Sequence, residues 1–144
     1  MMILKTDASK AHRRIKVLPK DHRYICAETG KDIYVNQVGT YGVASAQWYW
    51  GRMAALILRL LYSVFPDIHW AFVFVDDFAI LLPADMARPL TTAILLFLAI
   101  LGLPIAWHKN HLGRTTVWLG FTINVKEATH HITPEKLLHI VYMF

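Results

Sequence analysis

The feature that most constrains this chain is a pair of adjacent aspartates, Asp76 and Asp77, set between two apolar runs. The runs, residues 70–75 and 78–82, are rich in β-branched and aromatic side chains, which favours strands joined by a tight turn. An ordinary hairpin turn would use Asp-Gly or Asn-Gly, whereas two adjacent carboxylates repel each other. We therefore expect a cation here, and a pair of Mg²⁺ ions fits because magnesium prefers carboxylate oxygens.

Composition excludes several other classes of protein. Hydrophobic residues make up 56% and charged residues 17% of the 144 residues, the reverse of a disordered chain. This length suits one domain with a single core. The lone cysteine, Cys26, excludes an internal disulfide and a cysteine-rich zinc module. We expect one folded domain in a reducing, intracellular compartment, the cytoplasm or the nucleus.

Positive charge is concentrated near the start of the chain. Residues 1–23 carry seven of the fifteen Lys and Arg residues against Asp7 and Asp21, and the remainder is neutral. A basic segment on a neutral body suggests a polyanionic partner, because cations that neutralise phosphates release counterions. On charge alone, a solvated surface is the alternative.

The remaining pattern alternates strands and helices. Strands are predicted over residues 3–7, 24–27, 33–35, 70–75, 78–82, 116–121 and 122–126, and helices over residues 43–65 and 84–101. Residues 8–17 are weakly helical, and a further helix begins at Pro134 with Thr133 as its cap. The expected fold class is α+β, with an antiparallel sheet and helices packed on one face.

A membrane span is the alternative for residues 90–107, which carry no charge and approach spanning length. Gly102 and Pro104 interrupt this run. In the other apolar run, Asp76 and Asp77 would each cost about 2.5 to 3.5 kcal/mol at a bilayer centre. The predicted strands could not satisfy their backbone groups in lipid. We therefore expect no membrane partner.

A two-metal site needs a further carboxylate, and Asp7 ends the first predicted strand. Asp7 is the first of five motifs that occur in order along the chain, and the second opens a long predicted helix. The other four are Tyr41-Gly42-Val43-Ala44-Ser45-Ala46-Gln47-Trp48-Tyr49-Trp50-Gly51-Arg52; Phe74-Val75-Asp76-Asp77; Gly102-Leu103-Pro104-Ile105-Ala106-Trp107-His108-Lys109; and Trp118-Leu119-Gly120-Phe121. In this order they resemble the palm domain of a reverse transcriptase, an RNA-directed DNA polymerase of the retroelement kind. The resemblance covers about the whole chain, so residues 1–144 are expected to form a partial palm domain.

The resemblance implies nucleotidyl transfer. In this template-directed DNA synthesis a primer 3′-hydroxyl attacks the α-phosphate of a deoxynucleoside triphosphate, and pyrophosphate leaves. The resemblance further implies two Mg²⁺ ions, replaceable by Mn²⁺, held by Asp7, Asp76 and Asp77, with an RNA or DNA template and primer as partner. Lys109 would neutralise or protonate the pyrophosphate.

Five further residues are expected to contact substrate by the same resemblance. The backbone at Ala8 and Ser9 would lie near the triphosphate, and His12 would lie under the sugar. Gly42 and Gln47 would face the template and the nucleotide.

The chain departs from the family at several points. His12 stands where the family carries Phe or Tyr, Gln47 replaces a Pro, and Phe74 replaces a Tyr. The resemblance implies a fingers segment before Asp7 and a thumb after the palm that these 144 residues do not contain, so we expect a piece of a longer polyprotein or a decayed copy. The alternatives are a catalytically inactive remnant and a non-enzymatic membrane or interaction protein that uses its apolar helices for packing.

Overall fold

The computed structural model describes residues 1–40 and 42–143, and for Ala44 it describes the backbone alone. The strands in chain order are β1 (Met2–Asp7), β2 (Cys26–Thr29), β3 (Asp32–Val35), β4 (Trp70–Phe74), β5 (Asp77–Leu82), β6 (His111–Gly113), β7 (Thr115–Trp118), β8 (Phe121–Asn124) and β9 (Thr129–Ile132). The helices are α1 (Ala44–Val64), α2 (Ala87–Ile100) and α3 (Pro134–Tyr142), with 3₁₀ turns at Ala11–Arg14, Pro19–Tyr24 and Trp107–Lys109.

A four-stranded antiparallel sheet in the order β4-β5-β1-β6 forms the centre of the molecule. In the β1–β5 pair, Leu4 lies opposite Ile80 and Asp7 lies opposite Asp77. Successive side chains of a strand point to opposite faces, so Leu4 and Asp7 belong to different faces of the sheet. One face is therefore apolar, and the other carries the carboxylates.

Helices α1 and α2 cover the apolar face. The buried cluster joins Leu4, Phe78, Ile80 and Leu82 of the sheet to Ala54, Ile57 and Leu61 of α1 and to Leu90, Ile94 and Leu98 of α2. The contributing residues of each helix recur at intervals of three or four positions, which places them on one stripe. The predicted α+β class, an antiparallel sheet with helices packed on one face, is confirmed.

A second, three-stranded sheet, β7-β8-β9, lies beside the carboxylate face. The Lys5 ammonium on β1 donates to the Val117 carbonyl on β7 at 3.1 Å. The Phe72 ring on β4 lies 6.3 Å from the Trp118 ring. These contacts attach the small sheet to the large one.

Several predicted segments differ from the structure, among them the strand predicted over residues 24–27, which is observed as Cys26–Thr29. Helix α2 begins at Ala87 rather than at residue 84, and Pro89 then falls in its first turn, where the missing N–H costs no helical hydrogen bond. The weakly helical segment 8–17 forms only the 3₁₀ turn Ala11–Arg14. The predicted strand pair 116–126 is a three-stranded sheet, because the polar segment Thr129–Ile132 adds to its edge.

Smaller differences concern turns and caps. The β4–β5 turn consists of Val75 and Asp76, and Asp77 is the first residue of β5, where it pairs with both β1 and β4. Thr133 does occupy the position before α3, but its hydroxyl makes no capping hydrogen bond. Among the described helices, none combines the length and apolar character needed to cross a bilayer.

Helix α1 also holds the β4–β5 turn in place. Val75 has a φ of 55°, in the left-handed region that β-branched residues rarely adopt. The buried Trp50 of α1 donates its indole N–H to the Val75 carbonyl at 2.6 Å. This hydrogen bond ties the strained turn, and with it Asp76, to the helix layer.

We predict that Trp50→Phe lowers the free energy of unfolding by about 2 kcal/mol, since it removes this hydrogen bond and part of a buried ring. Urea denaturation followed by circular dichroism measures the change. The matched control is Trp48→Phe on the exposed side of the same helix, which should change stability by less than about 0.5 kcal/mol. Equal losses in the two variants would contradict the role given to Trp50.

Candidate active site

Three carboxylates meet at one end of the central sheet. Asp7 is the last residue of β1 and Asp77 the first residue of β5, and the two are register partners on the same face. Asp76 lies in the adjoining turn, and its carbonyl accepts a hydrogen bond from the Ala8 amide at 2.9 Å. The strand end and the turn are thus joined by backbone, which positions the carboxylates relative to each other.

Lys109 is brought to this cluster by the segment that follows α2. The Pro104 carbonyl accepts a hydrogen bond from the Ser9 amide at 2.6 Å, and the Ala106 amide donates to the Asp7 carbonyl at 2.9 Å. The Lys109 ammonium then lies 2.8 Å from Oδ2 of Asp7. Among the residues that the structure describes, this is the one salt bridge.

The two partners of this salt bridge differ in exposure. The Asp7 side chain is 6% exposed and that of Lys109 is 50% exposed. The hydrogen bond to Asp7 raises the pKa of Lys109, and partial burial opposes this effect. Lys109 therefore stays charged at neutral pH and reaches from solvent to a nearly buried carboxylate.

Electrostatic repulsion within the cluster is incompletely neutralised. Burial is the main cause that raises the pKa of Asp77, and the negative charges of Asp7 and Asp76 raise it further. The positive charges of Lys5 and Lys109 act in the opposite direction. The three carboxylates outnumber the two neighbouring cations, so the cluster keeps a net negative charge that a bound cation would offset.

The donor set suits a hard divalent cation. Within residues 1–40 and 42–143, no three Asp, Glu, His or Cys side chains are grouped as ligands of one ion. Mg²⁺, however, usually takes only one or two carboxylates from a protein and completes its shell with water and substrate phosphates. Asp7 and Asp77, paired on one face, offer such oxygens, so the residues fit the ion.

The other predicted substrate contacts are placed as follows. Ala8 and Ser9 directly follow Asp7, but both amides donate to protein carbonyls in this structure. His12 is nearly buried in the 3₁₀ turn after β1. Gly42, with a φ of 84°, and the exposed Gln47 lie at the start of α1 in the helix layer. Their roles stay predictions, and Tyr41 of the same motif lies outside the described residues.

Gly39 explains how the His12 segment packs on α1. A Cβ atom at Gly39 would lie 2.5 Å from the His12 carbonyl oxygen and 2.8 Å from Cβ of Ala46. Only glycine permits this close approach. The Gly39 amide also donates to the Ile15 carbonyl at 2.7 Å, which fixes the loop beside the helix start.

Sequence reasoning missed Lys5 and Asn110. Lys5 precedes Asp7 by two residues and so shares its face, a signal that strand alternation already contained. Asn110 accepts a hydrogen bond through its side-chain oxygen from the buried Thr6 hydroxyl at 2.8 Å. No local pattern announces that contact, because the two residues are 104 positions apart.

Three solved structures of foamy viral protease-reverse transcriptase share this architecture. The structure in complex with an RNA/DNA hybrid superposes with a TM-score of 0.74 at 15% identity, over 93% of this chain and 17% of that one. The dRH form in complex with dsDNA superposes with a TM-score of 0.73 at 16% identity, over 93% of this chain and 22% of that one. A third structure, in complex with dsDNA, superposes with a TM-score of 0.64 at 17% identity, over 93% of this chain and 27% of that one.

The chain has a reverse-transcriptase-like fold. It spans less than a third of the length of each of these three chains. No protein-family model matches the chain, and no curated protein matches its sequence. The predicted resemblance is thus confirmed at the level of architecture.

We predict that Asp77→Asn raises stability at neutral pH. The pKa of Asp77 is higher in the folded than in the unfolded chain, so its contribution to stability is full below the ordinary Asp pKa and is lost as pH rises through the folded value. The advantage of the Asp77→Asn variant should therefore shrink as pH falls from 7 to about 3. Thermal unfolding of the two proteins across this range measures the difference. Asp85→Asn, at an exposed position, is the control, and a destabilised Asp77→Asn at neutral pH would refute the prediction.

We also predict that Asp7 and Lys109 are energetically coupled. In a double-mutant cycle of Asp7→Asn and Lys109→Met, the coupling energy should be about 1 kcal/mol, since Lys109 is half exposed and its charge is partly screened. Lys109→Met alone should cost more, because it leaves a nearly buried carboxylate unpaired. Urea unfolding of the four proteins gives the cycle. A parallel cycle with the exposed Lys126→Met should show no coupling, and equal values in the two cycles would contradict a specific pair.

Proposed function

We propose that this chain is the catalytic palm of a reverse transcriptase of the retroelement kind. Its reaction would be template-directed extension of a primer, with RNA or DNA as template and deoxynucleoside triphosphates as substrates. The observation that carries the proposal is the pairing of Asp7 with Asp77 across β1 and β5, with Asp76 in the adjoining turn, in a chain of reverse-transcriptase-like architecture.

The carboxylates would act by holding magnesium. Asp7, Asp76 and Asp77 would hold two Mg²⁺ ions, and Mn²⁺ is expected to replace Mg²⁺. When bound, the two ions would supply activation of the primer hydroxyl and stabilisation of the leaving oxygen. Burial, and to a smaller extent the negative charges of Asp7 and Asp76, raise the pKa of Asp77. The closeness of these carboxylates supports the assignment, because neighbouring negative charges attract cations.

Lys109 would act on the triphosphate side of the reaction. Its side chain is half exposed and remains protonated at neutral pH, so it can move from Asp7 toward an incoming anion. There it would neutralise the pyrophosphate or donate a proton to it. In the absence of substrate, its salt bridge keeps the Asp7 charge compensated.

The substrate contacts of the backbone require a local change. The Ala8 and Ser9 amides would approach the triphosphate only if they exchanged their present carbonyl partners, Asp76 and Pro104, for phosphate oxygens. His12 would pack under the sugar with its nearly buried ring. Gly42 and Gln47 would face the template and nucleotide from the start of α1.

A polymerase must hold its primer, template and triphosphate through several contacts to phosphate groups. The chain spans 17% to 27% of the solved reverse-transcriptase chains that it resembles. We propose that it works as part of a longer polyprotein whose fingers and thumb hold the primer, template and triphosphate, in the cytoplasm or nucleus. Isolated, it should extend a primer poorly because the reacting groups are not positioned.

We predict that Asp76→Asn, in a polypeptide that joins this palm to fingers and thumb, lowers primer extension by about 100-fold or more. Binding of the template and primer should change little, because cations rather than Asp76 contact the phosphates. Extension of a labelled primer with Mg²⁺ and fluorescence anisotropy measure the two quantities.

Asp85→Asn removes a carboxylate of equal charge from the turn before α2 and should leave extension unchanged. Extension by Asp76→Asn at nearly the wild-type rate would overturn the proposed site. Mn²⁺ binding by the 144-residue chain, followed by electron paramagnetic resonance, tests the site without the rest of the polymerase. Affinity should fall in both Asp7→Asn and Asp76→Asn.

A further inference from the structure

A groove of about 850 Å³ runs along the exposed side of α1, and none of the residues that line it is acidic. Four of its lining residues are cationic: Arg14 and Lys16 on the segment after β1, and Arg52 and Arg59 on the helix. Tyr49 lines the same groove. These five residues are called the basic groove below.

Within residues 1–40 and 42–143, no carboxylate forms a salt bridge with the basic groove. The one salt bridge of the described residues joins Lys109 to Asp7, so none of the four cations has a carboxylate within 4.0 Å. Arg14 donates to the Ser9 carbonyl at 3.3 Å, a contact that leaves its charge uncompensated. Four like charges around one groove raise the local potential, which favours a ligand with several negative charges.

The spacing of the two helix arginines suits an extended ligand. Arg52 and Arg59 are seven residues apart, about two helical turns or 10 Å along the axis. They lie opposite the stripe of α1 that packs on the sheet, which contains Ala54 and Leu61. Arg52 and Arg59 therefore lie on the side of α1 that faces away from the sheet that carries Asp7.

Exposed aromatic rings adjoin these charges. The side chains of Trp48 and Tyr49 are 56% and 51% exposed, and their rings meet edge to face at 4.8 Å. The Arg52 guanidinium lies 4.8 Å above the Trp48 ring. Aromatic and guanidinium planes beside free cations bind single-stranded nucleic acid, because unpaired bases can stack on the rings while phosphates meet the cations.

We propose that the basic groove binds single-stranded nucleic acid. The phosphates would contact Arg14, Lys16, Arg52 and Arg59, and a base would stack on Tyr49. A duplex keeps its bases paired inside and cannot use the rings, and an acidic peptide has no bases to stack. The inference goes beyond the proposed polymerase function, because it concerns a surface on the other side of α1 and does not depend on the carboxylates.

The experiment measures binding of a short fluorescein-labelled oligothymidylate to the 144-residue chain by fluorescence anisotropy, at several salt concentrations. The Arg52→Gln/Arg59→Gln variant should bind about tenfold more weakly, and the slope of log K against log salt should fall by about 1.4, or about 0.7 for each lost cation. Tyr49→Ala should weaken binding about fivefold or more. All three positions are exposed, and circular dichroism checks that each variant is folded.

The matched control is Arg88→Gln/Lys126→Gln, which removes the same net charge from exposed positions outside the basic groove. It should change affinity less than about twofold. Equal weakening by the two double variants would overturn the proposal in favour of diffuse charge attraction. Equally tight binding of a duplex of the same length, or displacement of the oligonucleotide by polyglutamate at equal charge, would also overturn it.

A further arm separates this proposal from the polymerase proposal. Asp7→Asn should leave oligothymidylate binding intact while it weakens Mn²⁺ binding. A clear change of oligonucleotide affinity in Asp7→Asn, in either direction, would place the nucleic acid at the carboxylates and refute the groove. Unchanged Mn²⁺ binding in that variant would count against the metal site alone.

Discussion

The register of β1 against β5 is the constraint on which the rest of the structure depends. The same β1–β5 ladder places Leu4 opposite Ile80 and Asp7 opposite Asp77. The register that packs the apolar residues against α1 and α2 therefore also brings the carboxylates together. A slip of one residue would turn Leu4 out of the core and Asp7 toward the helices. Burial of the apolar face therefore stabilises an arrangement of charges that is unfavourable by itself.

The cost of that arrangement is visible in local features. The raised pKa of Asp77 reports burial and repulsion, and Val75 in the turn has a backbone conformation that is rare for its type. Strain and uncompensated charge of this kind concentrate at functional sites, where surrounding packing maintains them. Trp50 supplies that support by its hydrogen bond to the turn, and Lys109 supplies it by its salt bridge to Asp7.

Helix α1 connects the different parts of the molecule. Its inner stripe packs on the sheet, Trp50 holds the β4–β5 turn, and its outer side presents cations and aromatic rings beside the segment after β1. A single helix can pack on the sheet and also present a charged surface, because the residues on its two sides can differ in polarity. Two of the basic residues before residue 24, Arg14 and Lys16, thus lie beside Arg52 and Arg59 only because their segment folds against α1.

The sequence by itself determined the α+β class, the two long helices, the hairpin around Asp76 and the order of motifs, because periodicity and turn chemistry are local properties. The tertiary structure alone decided that Asp77 belongs to a strand, that Lys109 pairs with Asp7 across 102 positions, and that the Ala8 and Ser9 amides are engaged. It also decided β6 and β9, which are too short or too polar to show a pattern. These features depend on which strands become neighbours, and that choice follows from burial of the whole core rather than from any one segment.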